Sequence, residues 1–245
     1  MMGRVLAIVL LIMLMSSPVL AAGGGGDMMD PRVDVSDQSS LQRGAKLFAN
    51  NCMGCHSAKY VRWNALPEAL GTSMEMIESN LIYGDYTPGD TIKAAMRSDD
   101  AADWFGAAPP DLSLTARARG ADWVYTYLNS FYRDPEASGG WNNTVLPNSS
   151  MPHVLWRMQG VPEPRYAEGR DSHKISELVI PAAQAGTLNA AEYQRVTRDI
   201  TNFMAFMAEP VRAKRQEMGV WVIGFLIVFT TLAYLLKREY WRDIH

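Results

Sequence analysis

The segment that most constrains this chain is NCMGCH, residues 51 to 56, because it contains both cysteines of the 245-residue sequence. Cys52 and Cys55 are separated by two residues, and His56 follows directly. The spacing C-x-x-C-H is typical of covalent haem attachment, in which each thiol forms a thioether with a haem vinyl group. The adjacent imidazole then binds the iron as the proximal ligand. The motif therefore predicts one haem c, held by Cys52, Cys55 and His56.

Three other uses of two thiols and an imidazole are weaker. A disulfide between Cys52 and Cys55 would close a very small loop and constrain little of the unfolded chain. A thioredoxin-like redox pair is expected near a βαβ pattern, which the sequence lacks. A structural zinc site needs four ligands, and the remaining histidines form no second pair at ligand spacing: His153, His173 and His245.

The first 21 residues have the pattern of a secretory signal peptide. Arg4 precedes an apolar run from Val5 to Met15, and small residues at Ala21 and Ala22 offer a cleavage site after either one. Residues 22–210 are then exported. This agrees with the haem motif, because c-type haem is attached outside the cytoplasm.

A second apolar segment, residues 218–236, contains 19 residues without a charge. That length is close to the roughly 20 residues with which a helix crosses a bilayer. Basic residues occur on both sides, in the juxtamembrane segment 211–217 and in the tail 237–245. The alternative is a buried core helix. The spanning helix is favoured, and export of the haem domain then places that domain in the periplasm and the tail in the cytoplasm of a bacterial inner membrane.

Hydrophobic periodicity predicts a mainly α domain between these segments. Apolar residues at helical spacing follow a capping-box pattern at Ser39 and Gln42, and they recur in 73–82 and 121–132. The clearest helix is predicted at 189–208, where Asn189 and Glu192 form a second capping box. Strand signals are short, with 177–180 the best, and 134–152 is rich in Gly, Pro, Asn and Ser, which predicts a long loop.

The long loop offers a sixth ligand to the iron. Met151 follows LPNSS and precedes Pro152, so it lies in irregular chain from which a thioether can reach iron without bending a helix. Met158 and His153 are alternatives, and the residue chemistry alone does not choose among them, since methionines also fill cores.

The exported part is acidic. Residues 22–217 contain 24 acidic and 19 basic side chains, and 85–103 is the densest stretch, with five aspartates against Lys93 and Arg97. Such a surface steers a basic partner, or it is an ordinary solvated face. The sequence has no basic patch of the kind that binds nucleic acid.

Four stretches resemble one family. They are RGAKLFANNCMGCHSAKYVRW around the haem motif, APPDLSLTARARG at 108–120, LPNSSMP at 146–152, and FMAFMAEPVRAKR before the apolar segment. In this order they resemble the cytochrome c1 family, the haem subunits of bc1 complexes. The resemblance implies a cytochrome c-type haem domain with insertions and one C-terminal transmembrane helix.

The resemblance also implies residue roles. Met151 corresponds to the distal methionine, Arg119 to an arginine that pairs with a haem propionate, and Pro109 and Pro110 to a segment that lines the haem. This sequence departs from the family at Trp123, where relatives often have tyrosine, and it has two serines before Met151 where relatives have apolar residues.

The implied function is electron transfer, without bond chemistry by this chain itself. The family's haem receives an electron from a Rieske iron–sulfur protein and passes it to a soluble or membrane-bound c-type cytochrome, in a dimeric ubiquinol–cytochrome c oxidoreductase that also contains cytochrome b. Two alternatives are a tethered carrier outside any such complex and an open-haem peroxidase or gas sensor.

Overall fold

The structure is a computed structural model that describes residues 28–137, 139–168 and 174–242. The predicted signal peptide and His173 lie outside these residues. The helices are α1 Gln38–Asn51, α2 Leu66–Leu70, α3 Met74–Leu81, α4 Ser98–Phe105, α5 Thr115–Ala118, α6 Ala121–Leu128, α7 Trp156–Gln159, α8 Ala190–Ala208 and α9 Arg212–Tyr240. The strands are β1 Ala58–Arg62, β2 Thr91–Ile92, β3 Phe131–Arg133, β4 Trp141–Asn143, β5 Glu163–Tyr166 and β6 Ile175–Val179.

The strands form three antiparallel pairs, β1 with β2, β3 with β4 and β5 with β6. The predicted mainly α fold is confirmed, because these strands are short and the core is built on helices. The strand predicted at 177–180 is part of β6, although Ile180 lies beyond its end.

Helices α1 and α8 form the centre of the core. Phe48 of α1 packs on Phe203 of α8 with ring centroids 5.6 Å apart, and both side chains are almost fully buried. The predicted capping box of α8 is confirmed, since Glu192 N–H donates to Asn189 Oδ1 at 3.0 Å and Asn189 N–H to Glu192 Oε2 at 2.9 Å.

The predicted start of α1 is wrong by two residues. Asp37 is the N-cap in place of Ser39, and its Oδ1 accepts a hydrogen bond from Ser40 N–H at 3.0 Å. The Ser40 hydroxyl donates to buried Asp199 of α8 at 2.7 Å. The Asp37 carboxylate therefore caps the helix directly before Gln38. The hydrogen bond from Ser40 to Asp199 also holds the first turn of α1 against α8.

At Gly44, helix α1 closely approaches the backbone of α8. A Cβ built on Gly44 would overlap the carbonyl of Asp199 and approach the Cβ of Phe203. Arg43, next to it, binds the Asp199 carboxylate through Nε at 2.6 Å and Nη2 at 3.0 Å. The missing side chain therefore permits both the apolar packing and this ion pair.

The Gly44→Ala variant should lower the free energy of unfolding by about 3 kcal/mol, because the new methyl group meets backbone and overpacked cores must shift. Urea-induced unfolding of the purified protein in detergent measures this. Gly89→Ala is a matched control, since a Cβ there meets nothing within 4 Å. Equal unfolding midpoints for the two variants would contradict the proposed close approach.

Helix α6 ends four residues before the predicted limit of 132. The Asn129 side chain donates to the carbonyl of Tyr125 at 2.7 Å, and the chain then turns into β3, which pairs with β4. In β3, residues 131–133 pair with β4, and they could not do so if α6 continued to 132. Tertiary pairing therefore overrides the local helical periodicity. The loop predicted at 134–152 therefore contains a strand, Trp141–Asn143.

Helix α9 contains the predicted spanning segment 218–236 and extends it into both basic flanks. It has 29 residues, which at 1.5 Å per residue is about 44 Å, longer than the ~30 Å hydrocarbon core of a bilayer. Its most apolar window has a mean hydropathy of 2.2 and none of that window is buried. Within the part of the chain that the structure describes, it is the one helix long and apolar enough to cross a membrane.

Candidate haem site

The attachment motif begins where α1 ends. Cys52 N–H donates to the Phe48 carbonyl at 2.8 Å, and the Cys52 carbonyl then accepts from Cys55 N–H at 3.0 Å and His56 N–H at 2.8 Å. One tight turn therefore contains both thiols and the imidazole. Both cysteines are free and half-buried.

Two distant segments hold this turn. On one side, Ala95 N–H donates to the Met53 carbonyl at 3.1 Å and Met96 N–H donates to the Gly54 carbonyl at 3.0 Å. The Ser57 hydroxyl oxygen also accepts from Ala94 N–H at 2.9 Å. The attachment loop is thus paired along its backbone with the segment that follows β2.

The segment PPDLS at 109–113 holds the other side. Leu112 N–H donates to the Ser57 carbonyl at 2.8 Å, while Asp111 Oδ2 accepts from Lys59 N–H at 2.8 Å. The PPDLS segment therefore runs alongside residues 57–59, which follow the motif. This places Pro110 beside the motif although 54 residues separate it from His56.

His56 is prepared as a metal ligand. Its side chain is 8% exposed, and its Nδ1 lies 2.8 Å from the carbonyl oxygen of Pro110. A carbonyl only accepts, so Nδ1 carries the proton and Nε2 keeps its lone pair. Burial lowers the pKa of His56, although the Pro110 carbonyl and Asp111 act in the opposite direction. The ring is therefore neutral at pH 7 and oriented by a backbone acceptor, which is the usual support of a metal-bound histidine.

The thiols fit haem attachment better than the alternatives. Burial raises the pKa of Cys52 to about 12 and also raises that of Cys55, so neither is an activated thiolate of the kind found in redox or thiolate-metal sites. Among residues 28–137, 139–168 and 174–242, no group of three or more His, Cys, Asp and Glu side chains comes together as zinc would require. The donor set present, two thiols and one neutral imidazole with a free Nε2, fits a covalent haem.

Buried asparagines shape the loop that contains Met151. Asn143 is fully buried, and its Oδ1 accepts from Val145 N–H at 2.9 Å and Leu146 N–H at 3.2 Å. The Oδ1 of Asn142 accepts from Asn148 N–H at 2.8 Å. Asn148 has a φ of +62°, a left-handed conformation that asparagine tolerates. The loop is therefore ordered by side-chain to backbone hydrogen bonds.

Met151 itself is half-buried, between this ordered loop and α7. Its N–H donates to the Ser149 hydroxyl oxygen at 3.4 Å, and that oxygen lies 2.7 Å from the Tyr127 hydroxyl of α6. This contact connects the loop to helix α6. Distal ligation by Met151 stays a prediction.

Arg119 is exposed at the end of α5, and its guanidinium carbon lies 5.0 Å from the ring centroid of Trp123. Trp123 stacks on Tyr127 with centroids 5.0 Å apart and ring planes inclined by 9°. The chain of contacts from Arg119 through Trp123 and Tyr127 to Ser149 therefore joins the predicted propionate partner to the loop of the predicted distal ligand. Its role toward a propionate stays a prediction.

Replacing Arg119 with glutamine should lower the haem reduction potential, because a nearby positive charge favours the state with one more electron. An interaction of ~1 kcal/mol between charges near a surface corresponds to roughly 40 mV for a one-electron couple. Redox titration measures the shift. Arg117→Gln on the same helix is the control, and equal potentials for both variants and the parent protein would make Arg119 an ordinary surface residue.

The alternative sulfur and imidazole are placed differently. Met158 lies in α7 and packs against the core. His153 is 2% exposed, and burial lowers its pKa to about 4. Its ring stacks on Phe131, with centroids 5.1 Å apart and an interplanar angle of 5°. Both are engaged in packing, whereas Met151 lies in the loop.

Several residues that build the site were missed by sequence reasoning. They are Asp111, Tyr127, Asn142, Asn143 and Ser149. Asn142 and Asn143 carried a weak signal, because asparagine side chains commonly hydrogen-bond nearby backbone groups in turns. Pro110 was predicted to line the haem, but the hydrogen bond from His56 to its carbonyl was not anticipated.

The arrangement can be compared with known proteins. A sequence profile of the Cytochrome C1 family matches residues 30–176 and 182–244. The chain belongs to the cytochrome c1 family. It is similar to cytochrome c1 of Allochromatium vinosum, with 47% identity over 87% of this chain and 88% of the relative. It is also similar to a protein of Nitrosomonas europaea named ammonia monooxygenase gamma subunit, with 44% identity over 87% of each.

A solved chain titled hyperthermophilic respiratory Complex III aligns over all of both chains, with 18% identity and a TM-score of 0.46. Family membership makes this chain a c1-type haem electron carrier and an electron-transfer subunit of a respiratory chain. It carries one covalently bound haem c and a membrane anchor, for which α9 is suited. The predictions of haem c, of the family and of the anchoring helix are confirmed.

Proposed function

We propose that this chain takes one electron at a time from a Rieske iron–sulfur protein and passes it to a soluble or membrane-bound c-type cytochrome. The observation that carries the proposal is the buried, neutral His56, whose Nδ1 is held by the Pro110 carbonyl beside two free thiols. When bound, haem supplies a one-electron couple between ferric and ferrous iron. The chain's own contribution is to bind, orient and shield this group.

The proposed residue roles are supported by the geometry of the attachment motif and by the family resemblance. Cys52 and Cys55 would form the two thioethers, and His56 would bind the iron through Nε2. Met151 would supply a thioether to the iron, and a thioether–imidazole pair raises the reduction potential. Arg119 would balance the charge of a propionate, and the Pro110 carbonyl orients His56.

The membrane arrangement is part of the proposal. The haem domain at 22–210 lies in the periplasm of a bacterial cell, the helix 218–236 spans the inner membrane, and the tail 237–245 lies in the cytoplasm. Its support is the predicted signal peptide at 1–21 together with the exposed apolar face of α9 and its basic ends. The basic segment 211–217 then lies at the periplasmic surface.

The proposed partners are cytochrome b and the Rieske protein, in a dimeric ubiquinol–cytochrome c oxidoreductase. Mild detergent extraction with an affinity tag on this chain, followed by identification of bound subunits and haem spectra, tests this. Co-isolation of a cytochrome b and a Rieske protein, with quinol-driven reduction of haem c, is expected.

Other results of that purification would contradict the proposal. Isolation of the chain alone would indicate a tethered carrier, and carbon monoxide binding to the reduced parent protein would indicate an open haem. Co-isolation with monooxygenase subunits would indicate the association that the name of the Nitrosomonas europaea relative suggests.

An acidic surface on α4 is the proposed docking region for a basic acceptor. Asp99 and Asp103 are exposed, Asp100 is half-exposed, and Trp104 beside them has 66% of its surface in solvent. Arg97 pairs with Asp100 at 3.9 Å, and one cation against three carboxylates leaves the cluster with a net negative charge. A large exposed aromatic ring within a charged rim is typical of a transient interface.

Neutralising Asp99, Asp100 and Asp103 to asparagine should slow electron transfer to a basic acceptor by roughly tenfold at low salt and flatten its salt dependence. The reason is that long-range attraction is screened over about 10 Å at 0.1 M salt. Stopped-flow oxidation of the reduced protein across a salt series measures this. A triple variant of Glu68, Glu75 and Glu78 to glutamine changes the net charge equally, and identical slopes for both triple variants would exclude α4 as the docking site.

A further inference from the structure

Met151 lies between Ser149 and His153 in the sequence. These two residues contact a pair of adjacent aromatic side chains, Tyr127 and Phe131, which form an aromatic wall. Two positions earlier, the Ser149 hydroxyl lies 2.7 Å from the Tyr127 hydroxyl. Two positions later, the His153 ring stacks on Phe131 at 5.1 Å. Tyr127 and Phe131 are themselves in edge contact, with centroids 5.0 Å apart and an interplanar angle of 69°. The wall therefore fixes both ends of the segment 149–153.

Tyr127 is the polar member of this wall. Its side chain is 8% exposed, and it lies between the stacked ring of Trp123 and the edge of Phe131. Burial raises the pKa of Tyr127, so the hydroxyl keeps its proton at neutral pH. A rigid, neutral phenol can hold the Ser149 hydroxyl in one position.

The Ser149 hydroxyl connects the wall to the backbone of Met151. Its oxygen accepts the Met151 N–H at 3.4 Å, so two consecutive hydrogen bonds lead from the Tyr127 hydroxyl to the amide of the predicted ligand. These bonds occur where the sequence has serines before Met151, a position at which the family was expected to have apolar residues.

His153 completes the hold on the far side. It is 2% exposed and contacts Trp141 edge-on at 5.2 Å as well as Phe131 face-on. With both sides of Met151 held, its backbone has few conformations to lose when its sulfur binds. Preorganisation of this kind shifts the equilibrium toward the bound ligand.

We propose that Tyr127 is a positioning residue that holds Met151 at the iron through Ser149, and thereby sets the reduction potential of this electron carrier. The proposal rests on the proposed ligation by Met151. Tyr127 contacts neither iron nor haem in this scheme and acts through the loop alone. Without its hydroxyl, the loop is less ordered and the thioether competes less well for the iron.

Tyr127→Phe is the decisive variant, because it removes the hydroxyl and keeps the ring that packs on Trp123 and Phe131. The far-red ferric sulfur–iron band should weaken and the reduction potential should fall. Apparent affinity of the reduced protein for carbon monoxide should rise about fivefold, the factor by which one hydrogen bond shifts an equilibrium. Ser149→Ala should have the same effects, whereas Ser149→Thr, which keeps a hydroxyl, should give the parent values. The double variant Tyr127→Phe/Ser149→Ala should show no larger effect than either single variant.

Two controls separate positioning from stability and from ligation. Tyr125→Phe changes a buried tyrosine of the same helix whose hydroxyl has no hydrogen-bond partner among the described residues, so the band should not change. If Tyr127→Phe lowers the unfolding midpoint but leaves band, potential and carbon monoxide affinity as in the parent, positioning is overturned. If Met151→Leu also leaves the band unchanged, the ligation proposal is overturned as well.

Discussion

Chains with Cys52→Ala or Cys55→Ala are expected to mature poorly and to carry far less covalently bound haem than the parent protein. Each thiol forms one of the two proposed thioethers, and the sequence has no other cysteine to replace it. The fold around the motif should tolerate the change, because the turn is held by backbone hydrogen bonds of Cys52 and by the segments at 94–96 and 110–113. The loss is therefore one of chemistry rather than of local structure.

Haem staining after denaturing electrophoresis measures this, since only covalent haem stays with the chain. Met53→Leu is the control, because it alters a buried side chain of the same loop with little change in volume and keeps both thiols. An assembled parent protein whose haem is removed by acid-acetone extraction would refute thioether attachment.

Met151→Leu is expected to keep the covalent haem and lower its reduction potential by on the order of 100 mV, a fraction of the ~0.8 V over which axial ligands set haem potentials. Leucine is close to methionine in volume, so the half-buried site should repack at a cost below about 1.5 kcal/mol. The soft thioether, which favours ferrous iron, is lost. Redox titration and the far-red ferric band measure the effect.

Met158→Leu provides a matched control on α7, where the methionine packs against the core. It should change stability slightly and leave the potential alone. Were Met158→Leu to lower the potential while Met151→Leu did not, the distal ligand would be Met158. An unchanged potential in both variants would leave His153 as the candidate that the chain offers in this region.

The sequence by itself determined the features that depend on neighbouring residues. The haem motif is a contiguous pentapeptide, the spanning helix is a run of apolar side chains, and the capping box of α8 joins Asn189 to Glu192 within one turn. Such features need no information about the rest of the fold. The family resemblance then supplied Met151, Arg119 and Pro110, which no local pattern could assign.

Tertiary structure alone decided how the site is held. The hydrogen bond from His56 to Pro110 spans 54 residues, and the wall of Tyr127 and Phe131 meets the loop of Met151 only after β3 and β4 pair. The same pairing ends α6 early. Contacts of this kind depend on which distant segments become neighbours, and local propensity does not encode that choice because folding free energy comes mainly from packing between elements.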